Sequence, residues 1–247
     1  MKLSTQRGFD FGTSIGNIEV PAALRTRVRT GVDYLDGALG GQGFTPSSVT
    51  LFTGTPGAGK TTMVLTMCAA MAKNGAVSVF NTGEESLFQV KMVAERLKLN
   101  NNFLVGEETM VPELIKKCDA IREANPGKPF FLAVDSLQTL NDGKWGDGTN
   151  SRTPERALSL LTDWAKETNS IVLVIGQVGK SGQFSGRNVL KHMVDSMLEL
   201  SIIDDEKNDF HGCRQLETTK NRFGSSATQY FLDFNGSCFR TVAKLGA

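Results

Sequence analysis

The chain has 247 residues, 40% hydrophobic and 21% charged, which is long for one domain, short for two, and too apolar for a disordered chain. Lysine and arginine number 27 against 26 acidic residues, a net charge of +1, so attraction to a polyanion must come from a local patch and not from the field of the whole molecule. The four cysteines, Cys68, Cys118, Cys213 and Cys238, form no CxxC pair; this excludes a zinc ribbon, argues against a disulfide framework and fits a reducing compartment. Apolar runs fall well short of the ~18 residues of a membrane span. The opening MKLSTQRGFDFG lacks the apolar stretch of a secretory leader, so a cytoplasmic protein away from membranes is expected. The 26 glycines point to backbone that turns sharply or approaches a ligand closely.

Residues 1–30 show no periodicity and carry five basic residues against two acidic ones, with Arg25, Arg27 and Arg29 alternating. They read as a basic arm or linker, or as a solvated strand edge, ahead of a core over 31–247. Residues 31–48 are rich in glycine and turn formers. SVTLFT at 48–53 reads as a buried strand, 54–59 as a glycine loop, and 60–73 as a helix ended by Asn74-Gly75. A strand follows at 77–81, then an amphipathic helix over 86–98 with Leu87, Val90, Val93, Ala94 and Leu97 at helical spacing. Residues 113–123 read as a helix and FFLAVD (130–135) as a fully apolar strand. The stretch 141–152 is a polar loop. Residues 153–168 form a helix, with Thr153-Pro154-Glu155 supplying the cap and a proline at its first position. IVLVIG (171–176) is a strand and 178–188 a second polar loop; further strands are expected near 194–202, 213–219 and 228–234. Strands alternating with helices predict an α/β fold: a mostly parallel sheet with helices on both faces and antiparallel strands at one edge.

Gly54-Thr55-Pro56-Gly57-Ala58-Gly59-Lys60-Thr61 matches GxxxxGK[ST] between a predicted strand and a predicted helix, the context that gives this motif its meaning. Its backbone N–H groups and the helix N-terminus, through Thr62, would cradle phosphates; Lys60 would reach the β- and γ-phosphates and Thr61 would bind Mg²⁺. The expected ligands are a nucleoside triphosphate and Mg²⁺. Asp135 ends a buried strand, where a carboxylate would hold Mg²⁺ through water. After the strand 77–81 comes Thr82-Gly83-Glu84-Glu85-Ser86. Glu84, read as standing at the tip of the strand beside the P-loop strand, would orient and deprotonate water; Glu85 and a helix-capping role are the alternatives. Gln177, following IVLVIG, would sense the γ-phosphate.

Strand–Walker A, strand–Glu, strand–Asp and strand–Gln in this order resemble the RecA/DnaB class of ATPases. Within it the chain resembles the RadA (Sms) family of bacterial DNA-repair ATPases over residues 30–235. The stretches that carry this are Thr30–Gly41 with the P-loop, the TGEES run with Val93-Ala94-Glu95-Arg96-Leu97, Val134-Asp135-Ser136-Leu137-Gln138-Thr139, Lys191-His192-Met193-Val194-Asp195, and Lys220-Asn221-Arg222-Phe223-Gly224. The last matches the KNRFG motif by which that family is known.

Three departures stand beside the match. The four-cysteine zinc module and the Lon-protease-like domain that usually flank this core in RadA have no counterpart in these residues. Gln177 replaces the family's histidine with the glutamine of RecA and DnaB. The loop Gly179-Lys180-Ser181-Gly182 only approximates its counterpart. Together they suggest a core-only relative of the sort phages carry.

The resemblance implies a ring, expected to be a hexamer, or a filament, with ATP between subunits and Lys220 and Arg222 reaching a neighbour's γ-phosphate. It implies that loops 141–152 and 178–190 face DNA. Lys144, Arg152, Lys180, Arg187 and Lys191 would contact phosphates, and Trp145 and Phe184 would stack on bases. The function expected is a DNA-dependent ATPase, a helicase or branch-migration motor on single-stranded or branched DNA in a bacterial or phage-infected cell, with a recombinase or single-strand-binding protein as partner. An ATP-switched annealing or strand-exchange protein is the alternative, and a KaiC-like signalling ATPase the third reading.

Overall fold

The computed structural model describes residues 11–99, 102–177, 187–226 and 228–246. In chain order its elements are α1 (Ala22–Arg25), α2 (Asp33–Ala38), β1 (Ser48–Gly54), α3 (Lys60–Lys73), β2 (Val77–Thr82), α4 (Leu87–Arg96), β3 (Leu104–Gly106), α5 (Val111–Glu123), β4 (Phe130–Asp135), β5 (Lys144–Asp147), α6 (Thr153–Thr168), β6 (Ile171–Ile175), α7 (Arg187–Met193), β7 (Ser196–Ile202), β8 (Arg214–Asn221), β9 (Gln229–Phe234) and β10 (Phe239–Leu245).

Nine strands make one sheet in the order β10-β9-β8-β7-β1-β6-β4-β2-β3. The six from β7 to β3 run parallel, and β8, β9 and β10 add antiparallel at one edge. The continuous apolar runs of β1, β4 and β6 lie buried along their full length, as strands covered on both faces must be. Alternate residues serve opposite layers. Phe52, Phe80, Phe131, Ala133, Leu173 and Ile175 pack with α2, α3 and the Val90 side of α4. Leu51, Val79, Leu132, Val134, Val172 and Val174 pack with α5, α6 and the Leu190 side of α7. This is the doubly covered sheet that the alternating pattern predicts.

Several local expectations change. The strand carrying Glu84 is not beside the P-loop strand, because β6 and β4 stand between β1 and β2. The glycine-rich stretch 31–48 contains α2, with Gly37 inside it; a Cβ there would stand 1.8 Å from the Tyr230 hydroxyl, so tertiary packing has claimed the space a larger residue needs. The cap of α6 is Arg152, not Thr153; Thr153 opens the helix and accepts from the Asn150 backbone N–H through Oγ1 at 2.8 Å. Loop 141–152 contains the short strand β5, outside the main sheet. The arm does not stop at residue 30: Val28 bridges to Phe44, and Thr30 is buried with its N–H and hydroxyl on the Asp36 carboxylate. Its final residues are thereby part of the packed core. Strands β3 and β10 had no expectation at all. Among the described residues no helix is long and apolar enough to cross a membrane.

Candidate ATPase site

All parallel strands point their C-terminal ends at one rim, and β1 delivers the glycine loop there. Gly54 is fixed by a neighbour: a Cβ on it would lie 1.9 Å from the Leu200 carbonyl oxygen, and Thr55 N–H donates to that oxygen at 3.1 Å. The loop is thus fastened to β7 at its first residue. Gly59, at φ 101°, precedes the first turn of α3 and rests against the Phe239 ring, 3.0 Å from where a Cβ would sit. The loop opens onto a cavity of about 340 Å³ lined by Gly54, Pro56, Gly57, Gly59, Lys60, Thr61, Thr62, Glu84, Asp135, Ile175 and Gln177. Thr55 and Ala58 belong to the same loop, Thr55 exposed and Ala58 buried behind it.

Within that cavity the groups form two connected sets. Lys60 Nζ donates to the carbonyls of Gly54 at 2.9 Å and Thr55 at 3.0 Å. Burial lowers the Lys60 ammonium from its ordinary value, while Asp135 and Glu84 oppose that shift. Thr61 Oγ1 donates to Asp135 Oδ2 at 2.6 Å. Asp135, 7% exposed, is pushed up to about 6, chiefly by burial and further by the nearby carboxylates Glu84 and Glu85, against the Thr61 hydrogen bond and Lys60.

In the second set, the Glu84 Oε1 accepts from Gln177 Nε2 at 2.7 Å and from the buried Ser136 hydroxyl. Gln177 is in turn positioned by its backbone N–H, which donates to Gln138 Oε1 at 3.2 Å. Both donors converge on one oxygen of Glu84. Ser136 and Gln138 carry no assigned role in the sequence reading; their place just after Asp135 is the signal that puts them at this rim.

Glu85 does not line the cavity. Capping of α4 falls to Ser86, which accepts from Gln89 N–H and completes a capping box with the Gln89 side chain. Capping therefore requires neither acid, and of the two only Glu84 lines the cavity.

A hydroxyl and a carboxylate oxygen in contact, backed by two more carboxylates, make a hard-oxygen set with excess negative charge. That suits a magnesium ion whose other ligands are phosphate and water. Among the described residues no group of three or more His, Cys, Asp or Glu could hold a metal by itself.

The remaining site residues separate. Lys144 and Trp145 are exposed on β5, with Lys144 Nζ 5.5 Å from the Trp145 ring centroid, and Arg152 is exposed at the end of the same loop. This loop leaves the C-terminal end of β4, the rim that carries the nucleotide cavity. Lys180, Phe184 and the side chain of Arg187 lie outside the described residues. Lys191 does not join the loop 141–152. Its backbone stands just before the start of β7, at the sheet's opposite end, where its carbonyl accepts from Lys220 Nζ at 2.7 Å.

Lys220 and Arg222 also stand at that opposite end, because β8 runs antiparallel to β7 and pairs Asn221 with Ser196. Lys220 Nζ donates additionally to the Val194 carbonyl at 2.6 Å, and burial lowers its ammonium from its ordinary value. Arg222 is paired with Asp195, Nη1 to Oδ1 at 3.2 Å. Neither reaches this chain's own P-loop.

A doubly covered parallel sheet, a glycine loop on its second central strand and acidic and amide groups at neighbouring strand ends define a P-loop ATPase core of the RecA/DnaB class. The profile of the family described as "ATPase: KaiC" matches residues 28–113. The solved ATPase domain of G40P superimposes with a TM-score of 0.76 at 18% identity, over 88% of this chain and 92% of that one. A DnaB-like replicative helicase gives 0.74 at 18% identity, over 87% of this chain and 61% of the other.

In sequence the core is RadA-like. The DNA repair protein RadA of Aquifex aeolicus is 34% identical over 202 residues, 81% of this chain and 43% of the relative. That of Haemophilus influenzae is 36% identical over 210 residues, 84% of this chain and 43% of the relative. The chain therefore spans less than half the length of these curated relatives.

Proposed function

We propose that this chain hydrolyses ATP between subunits of a homo-oligomer, in response to single-stranded or branched DNA, in recombination or repair. The observation that carries the chemistry is the convergence of Lys60, Thr61, Asp135, Glu84 and Gln177 on one cavity. Lys60 exchanges its two carbonyl partners for β- and γ-phosphate oxygens. Thr61 and Asp135 hold Mg²⁺, which supplies charge neutralisation at those oxygens. Glu84, with Oε1 occupied by Ser136 and Gln177, takes a proton from the attacking water on its other oxygen. Gln177 links that carboxylate to the third phosphate.

The position of residues 220–224 at the far end of the sheet supports an assembled site. Arg222 cannot serve its own P-loop and is half-exposed, as a residue offered to a neighbour would be. The nucleic-acid part rests on the relatives named DNA repair protein RadA and on the exposed Lys144–Trp145 pair beside the nucleotide rim, which offers a phosphate contact and a stacking face. Lys180, Phe184, Arg187 and Lys191 are proposed as further contacts.

The ATPase rate with and without single-stranded DNA, measured alongside particle size with a non-hydrolysable ATP analogue, tests both parts. Stimulation together with a nucleotide-dependent oligomer is expected. Unwinding of a tailed duplex selects the motor, and strand joining without unwinding selects the annealing reading. A rate that stays flat as DNA is added overturns the DNA-dependent reading and favours the alternative of a KaiC-like signalling ATPase.

A further inference from the structure

Asp195 is 4% exposed, and a buried carboxylate needs partners. Its backbone N–H donates to the Val49 carbonyl at 2.9 Å, and its Oδ2 accepts from the Val49 N–H at 3.1 Å. Asp195 is thereby clamped twice to the first turn of the P-loop strand. Its other oxygen, Oδ1, faces outward and takes Arg222 Nη1 at 3.2 Å, while its carbonyl takes the Arg222 N–H at 3.0 Å. The Arg222 side chain remains 51% exposed, so one edge of the guanidinium is held and the rest is presented to solvent. The next residue is braced from the other side: the Arg27 guanidinium donates to the Phe223 carbonyl and lies 5.9 Å from the Phe223 ring centroid.

We propose that Asp195 is a positioning residue that holds Arg222 in presentation for the triphosphate bound by an adjacent subunit. This inference rests on the assignment of Arg222 as a residue acting in trans. A flexible arginine loses several rotors when it docks on phosphate, and a side chain already fixed at one edge loses less. A surface ion pair would contribute little. This pair has one fully buried, doubly anchored member, so its geometry is enforced by the fold. The anchor is β1 itself, so the presented guanidinium is tied through Val49 to the same strand that carries its own subunit's P-loop.

The test is a mixing experiment. Lys60→Ala subunits offer Arg222 but have no working site; Arg222→Ala subunits have a site but offer no guanidinium. Mixed, they recover hydrolysis at their shared interfaces. Asp195→Asn introduced into the Lys60→Ala partner is expected to lower the recovered kcat by ~10-fold or more, the worth of a hydrogen bond to a charged group, with KM for ATP unchanged. The same substitution in the Arg222→Ala partner, which presents no guanidinium, is expected to lower the recovered rate far less.

General damage to the fold would lower the rate from either partner, so the asymmetry separates positioning from structure. Where Asp195→Asn does not fold, Asp195→Glu, which keeps the charge and moves it by one methylene, carries the same asymmetry. No recovery in the parent mixture overturns both the trans assignment and this inference. Recovery with Asp195→Asn equally harmful in both partners, or in neither, overturns this inference alone.

Discussion

At the rim where β1 ends, polar groups converge on open space. Lys60 rests on two loop carbonyls, and the Thr61 hydroxyl donates to Asp135. At the opposite end the cations are already answered: Lys220 by two carbonyls at the end of α7, Arg222 by a buried carboxylate. The first region is a socket that is completed by a ligand. The second is a plug, finished within the chain and half-exposed outward. One sheet carries both because its strands are parallel through the centre and turn antiparallel only after β7, which brings residues 220–224 back to the far end.

Substitutions at four residues, with Glu85→Gln as a control, probe this contrast in order of expected effect. Arg222→Ala should lower kcat by ~10³-fold or more, as loss of such a guanidinium does, with ATP affinity of the isolated subunit retained; equilibrium binding and steady-state rates check both. A loss of ATP affinity as large as the rate loss would place Arg222 in its own subunit's socket and erase the distinction between the two ends. Glu84→Gln should bind ATP yet turn over at least ~10²-fold more slowly, and Glu85→Gln should not. If the two glutamines exchange phenotypes, the wrong carboxylate has been given the water.

Asp135 tests the socket without catalysis. Its folded carboxyl keeps its proton up to about 6, against 3.8 for the ordinary value. The contribution of this one carboxyl to the stability of the nucleotide-free protein is therefore fully present below pH ~4 and, at up to ~3 kcal/mol, is lost as pH rises through 6. Asp135→Asn should remove that slope and raise the melting temperature of the nucleotide-free protein at pH 7 while abolishing Mg²⁺-dependent turnover. A difference in melting temperature between parent and Asp135→Asn that does not change from pH 4 to 7 would contradict the burial of this charge. The smallest effect belongs to Ser86→Ala, which removes the cap of α4 and should cost ~1 kcal/mol in chemical denaturation with kcat nearly unchanged, since the cap stands beside the socket and not in it.

The socket was largely legible in the sequence because its parts are local: a glycine loop between a strand and a helix, and polar residues at the ends of the apolar runs FFLAVD and IVLVIG. Their meeting is not local. Nothing in the residues of β2 says that β4 and β6 lie between it and β1, or that Glu84 meets Ser136 and Gln177 just past the ends of those intervening strands. The plug was legible only as a resemblance, since its partners, Lys191, Val194 and Asp195, lie 25 or more residues away in sequence. Strand β10 escaped notice because most of its residues are exposed and lack an apolar face. Helix α2 was hidden by Gly37, whose tolerance depends on Tyr230, almost 200 residues later.

The Phe239 ring against Gly59 provides an optical handle on the nucleotide. Cys238, its neighbour in sequence, is exposed, whereas Cys68 and Cys118 are buried with thiols pushed up to about 12 and should ignore an alkylating dye at neutral pH. With the half-exposed Cys213 replaced by serine, a fluorophore placed on Cys238 would sit one residue from the aromatic floor of the P-loop. Its emission would then follow ATP entering and leaving each subunit in real time.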